Sequence, residues 1–344
     1  MYKEVFIRDF SLLGKLLDAT VNGCKDNHLL DRAFEDSLQS SPLFSTGMQK
    51  EAIRAVIAKF LQENVLTDWL IPYENKLIEK KCIVGIIMAG NLPLVGFHDF
   101  LVTMASGCMA RIKLSGKDRF LLPALYNMLC EINPYWKERV EFTESLPDNP
   151  DLLLATGGDE SAKIFENKYK NTPKIVRSSR SSIAILLGDE NEEELQKLSK
   201  DIFLYYGMGC RSVSTLLVPE DYSFGLLTEV FARSRTSIES DDYLSAYKYQ
   251  KAIATMQNSW YLDGGFYILR EFMSFPPPMG IIGILKYKDI NEAEKFVNSN
   301  KLHLQCLVGK KCRFADTEVG ETQYPSISDY ADGLNSLEFI LNNV

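Results

Sequence analysis

Two doubly wound α/β lobes are what this chain predicts, because from residue 81 onward short, almost continuously apolar runs alternate with longer amphipathic ones. A parallel strand is buried on both faces and followed by a covering helix, which produces that alternation. The second observation is length: 344 residues exceed the roughly 100–200 of one compact unit, so two lobes with a cleft between them are expected. The third is that the first 79 residues lack the alternation. There Ala52, Ile53, Val56, Ile57, Phe60 and Leu61 recur at helix spacing, which predicts an N-terminal helical layer covering the first lobe.

The elements follow in order. Residues 82–89 read as a strand, 93–106 as a helix with Pro93 in its first turn, 109–114 as a strand and 117–130 as a helix. Residues 151–155 form the next strand, 159–168 a helix, and 174–176 and 182–187 two short strands. Residues 80–191 are thereby a doubly wound, Rossmann-like lobe, in which a nucleotide-binding domain is expected. An amphipathic helix over 191–206 and a buried strand over 214–219, closed by Pro219, open a second lobe assigned to 192–314. Its clearest later pair is strand 281–287 and helix 290–298. Residues 315–344 form a C-terminal segment that returns to the first lobe or to another subunit.

Bulk properties restrict function. A formal charge of −8 argues against a general nucleic-acid or membrane-surface binder, either of which needs a concentrated basic face. Seven cysteines without CxxC spacing, mostly in apolar runs, point to a reducing compartment. With three histidines and no cysteine cluster, no metal site is assigned. The N-terminus lacks the apolar core and cleavage site of a secretory signal, and apolar runs fall far below the ~20 residues of a membrane helix. A soluble, cytoplasmic protein acting on a small molecule or a protein partner is expected.

The candidate nucleophile is Cys210, in Tyr206-Gly-Met-Gly-Cys210-Arg211-Ser212, on the connection between a polar helix and an apolar strand. Glycines on either side of Met208 permit unusual backbone angles and close approach of a carbonyl group to the sulfur. Arg211 is a candidate for lowering the thiol pKa, although neighbouring strand residues point to opposite faces. Strand 82–89 ends in Gly90-Asn91-Leu92-Pro93, where Asn91 is either a helix cap or an amide donor to a developing oxyanion. His98, seven residues on, suits a packed helical position or an acid–base role. The next strand ends in Arg111-Ile-Lys113-Leu-Ser115-Gly-Lys117, where Lys113, Ser115 and Lys117 suit an anionic ligand. Thr156-Gly157-Gly158 joins strand to helix where backbone amides can meet a pyrophosphate, without a full GxGxxG fingerprint.

The order of these segments, together with Arg177-Ser-Ser-Arg-Ser-Ser182 and Tyr330-Ala-Asp-Gly333, resembles the aldehyde dehydrogenase superfamily and, within it, the fatty-acyl-CoA reductases typified by the reductase of bacterial luminescence. The resemblance covers residues 80–335 and implies an aldehyde-dehydrogenase-like fold. It implies that Asn91 and the Cys210 amide form the oxyanion hole, that Lys113 contacts the adenosine ribose, and that Thr156, Gly157 and Gly158 lie beside the cofactor pyrophosphate.

Two departures from the superfamily pattern bear on the chemistry. Where aldehyde-oxidising members carry a glutamate that activates water, this chain has Val176-Arg-Ser-Ser-Arg180, so a thiol such as coenzyme A or a carrier phosphopantetheine becomes the acyl partner. The segment that grips the nicotinamide ribose is replaced by Phe275-Pro-Pro-Pro-Met-Gly280, to which no role is assigned. Where NAD-preferring relatives place a glutamate after the ribose lysine stands Gly116, followed by Lys117, which favours NADPH over NADH.

The expected activity is NADPH-dependent reduction of a long-chain fatty acyl-CoA or acyl-carrier thioester to the aldehyde through a cysteinyl thioester. The alternatives are an aldehyde or semialdehyde dehydrogenase working in the oxidising direction, and a non-reducing acyl-transfer or scaffold subunit, which a chain shorter than the family's usual length leaves open. The resemblance further implies a homo-oligomer and an acyl-protein synthetase or transferase partner.

Overall fold

The computed structural model describes residues 2–272, 276–310 and 312–344. Phe275, the first residue of the stretch at 275–280, lies outside them. The chain divides into two units, Met1–Ser178 with Tyr324–Val344, and Ser179–Gln323.

The first unit opens with four helices: α1 (Tyr2–Val21), α2 (His28–Ser40), α3 (Thr46–Lys59) and α4 (Glu63–Leu70). Asn27 caps α2 by accepting from the amides of Leu29 and Leu30, and Ser45 caps α3 through Met48. The sheet follows as β1 (Ile83–Ile87), α5 (Phe97–Ser106), β2 (Met109–Lys113), α6 (Leu121–Ile132), β3 (Val140–Thr143), β4 (Leu152–Thr156), α7 (Asp159–Lys168) and β5 (Lys174–Arg177). Its order is β3-β2-β1-β4-β5 and every pair is parallel. The chain runs outward from β1 through β2 to β3, then crosses back to β4 on the other side of β1. That reversal makes a switch point between β1 and β4, where the loops leaving the two strands diverge and a ligand crevice opens at their carboxyl ends.

The N-terminal helices share one core with this sheet. Phe6, Phe10, Phe97, Phe100 and Trp136 are almost fully buried together. Burying each such side chain contributes roughly 1.5–3 kcal/mol. Asp9 enters this core because Trp136 Nε1 (3.0 Å) and Asn133 Nδ2 (2.6 Å) donate to it.

The second unit comprises β6 (Ser181–Ile185), α8 (Glu192–Phe203), β7 (Val213–Pro219), α9 (Gly225–Ala232), α10 (Asp241–Met256), β8 (Leu262–Asp263), β9 (Ile268–Glu271), β10 (Ile281–Tyr287), α11 (Ile290–Asn300) and β11 (Leu304–Gly309). Strand order is β11-β6-β7-β10-β9-β8, parallel except for β8 against β9. A capping box fixes the start of α8, with Asn191 and Glu194 each accepting from the other's backbone amide. After β11 the chain returns to the first unit, where α12 (Ser336–Asn342) buries Leu337, Ile340 and Leu341.

Three local expectations change. The strand read at 182–187 belongs to the second sheet, where β6 pairs with β7 and β11, so the division falls between Ser178 and Ser179 instead of at 191/192. Apolarity shows that such a strand is buried but not in which sheet. Helix α5 starts at Phe97 instead of Pro93, because residues 91–96 are turns and Leu94 takes a left-handed φ of +57°. Helix α6 starts at Leu121, since Ser115 and Asp118 close a tight reversal after β2.

Candidate active site

The carboxyl ends of β1, β2 and β4 gather the first-unit candidates Asn91, Lys113, Ser115, Lys117, Thr156, Gly157 and Gly158. Residue 90 has to be glycine: a Cβ there would lie 2.3 Å from Ser115 Oγ, so the loops after β1 and β2 touch backbone to side chain. Asn91 follows, half-buried. Three residues on, the Leu94 amide donates to Asp118 Oδ2 at 2.8 Å. A branched side chain at positive φ costs about 1–2 kcal/mol, and the Asp118 bond together with burial of Leu94 offsets that strain. Burial pushes the Asp118 carboxyl up to about 7, with the Leu94 amide pulling the other way. Asp118 is thus a clasp on the loop that carries Asn91; it lies just past the stretch read as an anion site.

The basic run divides in two. Arg111 is committed to structure, with Nε on Glu141 Oε2 (2.8 Å) and Nη1 on the Asp148 carbonyl (3.1 Å), tying β2 to β3. The ammonium groups of Lys113 and Lys117 have no hydrogen-bond or ion-pair partner among the described residues. Ser115 Oγ accepts from the Lys117 amide (3.3 Å), shaping the turn. A Cβ on exposed Gly116 would meet nothing within 4 Å.

Across the switch point, Thr156 ends β4. The Gly157 amide, expected to face a pyrophosphate, donates instead to the Arg177 carbonyl (3.1 Å), so it extends the β4–β5 ladder. A Cβ at 157 would lie 3.0 Å from Ser161 Cβ and 3.2 Å from the Phe165 ring, so a larger residue there would push these neighbours back by a few tenths of an ångström. Gly158 is the N-cap of α7, without a side-chain cap, and Asp159 and Glu160 occupy the first turn.

Two further first-unit residues are settled by their neighbours. His98 packs against Phe60 and Tyr330, each ring 5.3 Å away, and its Nε2 lies 2.8 Å from the Ile327 carbonyl, which it reaches as a donor. Burial lowers its pKa and holds it neutral, which makes it a packed histidine. Arg177, in the stretch that replaces the water-activating glutamate of aldehyde-oxidising members, is buried, and its Nη1 donates to both oxygens of Asp99 on α5 (2.7 and 3.0 Å). The Arg177 Nε is also buried and has no hydrogen-bond partner among the described residues.

In the second unit, α8 ends at Phe203 and the chain turns through Tyr206 (φ +58°) and Gly207 (φ +72°). The Tyr206 ring lies 5.2 Å from that of Tyr243 and is buried, which offsets its unfavourable backbone. Cys210 follows, half-buried. Ser182 Oγ donates to its carbonyl (2.8 Å) while accepting from the Cys306 amide (3.0 Å), so β6 and β11 both hold the turn. Ser212 closes it, its amide on the Gly209 carbonyl (3.0 Å) and its Oγ accepting from the Gly209 amide (3.3 Å). Arg211 Nε donates to the Thr322 carbonyl at 2.6 Å, so this guanidinium anchors the turn to residues 320–323.

A family model described as acyl-CoA reductase (LuxC) matches residues 28–232, more than half of the chain, and spans Asn91, Lys113, Thr156 and Cys210. The chain belongs to the acyl-CoA reductase family. Its fold is that of the aldehyde dehydrogenases. A glyceraldehyde-3-phosphate dehydrogenase from Methanocaldococcus jannaschii, solved in complex with NADP, superposes with a TM-score of 0.66 at 13% identity, covering 89% of this chain and 76% of that one. Aldehyde dehydrogenase 21 from Physcomitrella patens, in complex with the reaction product succinate, gives 0.63 at 15% identity over 97% and 84%. An NAD-dependent benzaldehyde dehydrogenase from Corynebacterium glutamicum gives 0.62 at 12% identity over 90% and 76%. No curated protein sequence matches the chain significantly. This acyl-CoA reductase is accordingly an oxidoreductase acting on acyl or aldehyde groups, and its family takes a thioester substrate to the aldehyde.

The carboxyl edge of the reductase's first sheet fits a dinucleotide. It combines a switch point, two ammonium groups without protein partners, open space above Gly116 and a helix N-cap without a side chain. Among the described residues of the reductase, no cluster of histidine, cysteine and carboxylate side chains could hold a metal ion. No helix among them is long and apolar enough to cross a membrane.

Proposed function

We propose that this reductase converts a fatty acyl-CoA or acyl-carrier thioester to the aldehyde with NADPH, through an acyl thioester on Cys210. One observation carries the assignment of the sulfur. Of the four cysteines inside the family match, Cys108 and Cys130 are buried and Cys82 runs straight into β1, whereas Cys210 is half-buried on a turn held by Ser182 and Ser212.

The Cys210 thiolate attacks the acyl carbonyl, the bond to the departing sulfur breaks, and that group leaves as its thiolate and takes a proton from solvent. When bound, the nicotinamide supplies the hydride that reduces the acyl group. The resulting thiohemiacetal oxyanion collapses, breaking the bond to Sγ and releasing aldehyde and the Cys210 thiolate. Asn91 Nδ2 and the Cys210 amide serve as donors to both oxyanions, each worth about 3–4 kcal/mol in the transition state. Lys113, Ser115 and Lys117 hold the adenosine end, with Thr156, Gly157 and Gly158 bounding the pyrophosphate. NADPH is favoured over NADH because Gly116 leaves room for a 2′-phosphate beside Lys117, while Asp118, the nearest acid, is turned onto Leu94.

Hydrolysis of the acyl enzyme needs a base to activate water. The stretch that stands where aldehyde-oxidising members carry that base presents Arg177, locked to Asp99, which supports a thiol as the acyl partner over the aldehyde-oxidising direction. An acyl-protein synthetase or transferase partner and a homo-oligomer belong to the same proposal.

Cys210→Ala should abolish both labelling by radioactive acyl-CoA and NADPH-dependent aldehyde formation. Survival of either activity refutes the assignment. Aldehyde oxidation that proceeds equally fast without coenzyme A would favour the dehydrogenase reading instead.

A further inference from the structure

We infer that Asp201 is a positioning residue for the Cys210 turn, acting through the loop at 320–323; this rests on Cys210 being the nucleophile. Asp201 lies on α8, the helix that leads into the turn, and is 2% exposed. Three donors surround its carboxylate. Gly320 N reaches Oδ2 at 2.6 Å, while Thr322 N (3.2 Å) and Thr322 Oγ1 (2.8 Å) both reach Oδ1. Thr322 is fully buried, and Gly320 takes a φ of +92° tight against α8, where a Cβ would lie 3.0 Å from the Lys197 side chain.

The loop so fixed grips the turn at two places. The Thr322 carbonyl accepts from Arg211 Nε (2.6 Å), next in sequence to the sulfur-bearing residue. Gln323 Nε2 donates to Ser212 Oγ (3.2 Å), the same oxygen that accepts from the Gly209 amide. Asp201 is thus two successive hydrogen bonds from the Arg211 side chain, through Thr322, and three from the Gly209 amide, through Thr322, Gln323 and Ser212. A buried carboxylate is an expensive way to tether a surface loop, which turn residues alone achieve elsewhere. Burial pushes the Asp201 carboxyl up to about 6 despite its three donors, a cost borne where a rigid backbone amide and sulfur are required.

The test uses the full chain with three variants. D201N keeps size but offers one acceptor oxygen instead of two, so one of the three donors loses its partner. T322V removes only the hydroxyl, and T322S restores it. Two rates are read: kcat for aldehyde formation with KM for acyl-CoA, and carbamidomethylation of Cys210 by iodoacetamide, followed peptide by peptide to separate it from the other cysteines.

The expected result is a fall of tenfold or more in kcat and in Cys210 alkylation for D201N and T322V, KM within twofold of wild type, and T322S within twofold on all counts. Should D201N fail to fold, T322V against T322S decides. Unchanged alkylation and kcat in folded D201N or T322V overturns the inference. So does a uniform loss in all three variants that simply follows the melting temperature. Activity surviving in C210A would instead sink the nucleophile assignment, and the alkylation rates would still report whether Asp201 orders the turn.

Discussion

At the scale of single residues, the chemistry rests on groups whose surroundings differ sharply from those of their neighbours in sequence. Asn91→Ala removes one oxyanion donor, so kcat should fall about 10²–10³-fold with KM for the thioester little changed; loss confined to KM would show that Asn91 only binds substrate. Asp118 behaves differently because its folded pKa is raised, to about 7. A raised carboxyl pKa favours the folded state at low pH: the contribution is full below the unfolded value of about 3.9 and is lost as pH rises through 7. The amide introduced by Asp118→Asn is neutral throughout and still offers the Leu94 amide an acceptor, so the variant should gain on wild type by about 1–3 kcal/mol between pH 5 and pH 8. Urea unfolding at the two pH values reads this directly, and a pH-independent difference refutes it. Cys210, Asn91 and the lysines stand out in sequence through the motifs around them. Asp118 and Asp201 do not, because a carboxylate becomes a clasp only when the fold brings distant backbone amides to it.

At the scale of elements, β1 through β5 were legible, β3 excepted, because parallel strands covered on both faces cannot avoid apolar runs. Helix starts were less so. Pro93 reads as a first-turn proline, yet the clasp on Leu94 delays α5 to Phe97. Strand β3, Val140–Thr143, escaped notice because an edge strand of four residues carries little periodicity. The pair Asp99–Arg177 joins α5 to the end of β5, with side chains 9% and 5% exposed. Removing one partner leaves a buried charge alone, so Asp99→Ala should lower stability by about 3–5 kcal/mol. The double change Asp99→Leu with Arg177→Met should recover most of it. Thermal unfolding of the three proteins checks this, and a single variant as stable as wild type would show that the pair is not the lock described.

At the scale of the whole molecule, the first unit is assembled from both ends of the chain, with the second inserted between them. The returning segment was expected, with the first lobe or another subunit as its destination; it joins the first unit, a choice the sequence left open because an apolar helix does not name its partner surface. Ile327, Tyr330, Leu337, Ile340 and Leu341 are at most 8% exposed and belong to the same core as α1, α3 and α5. Tyr330 OH accepts from Trp69 Nε1 (2.8 Å) and Asn335 Nδ2 donates to Tyr73 OH (2.8 Å). Five large apolar side chains at roughly 1.5–3 kcal/mol each sum to about 10 kcal/mol, comparable with the whole stability of an ordinary domain. A chain ending at Gln323 should therefore lose hydrogen-exchange protection in α1, α3 and α5, and with it NADPH binding, although every residue proposed to touch the cofactor remains. Strands β7 and β10 lie in an uninterrupted stretch with its own core and should stay protected. Protection of α5 in the shortened chain would show that the first unit folds without its C-terminal return, and that the helices at the two ends of the sequence are not one cooperative structure.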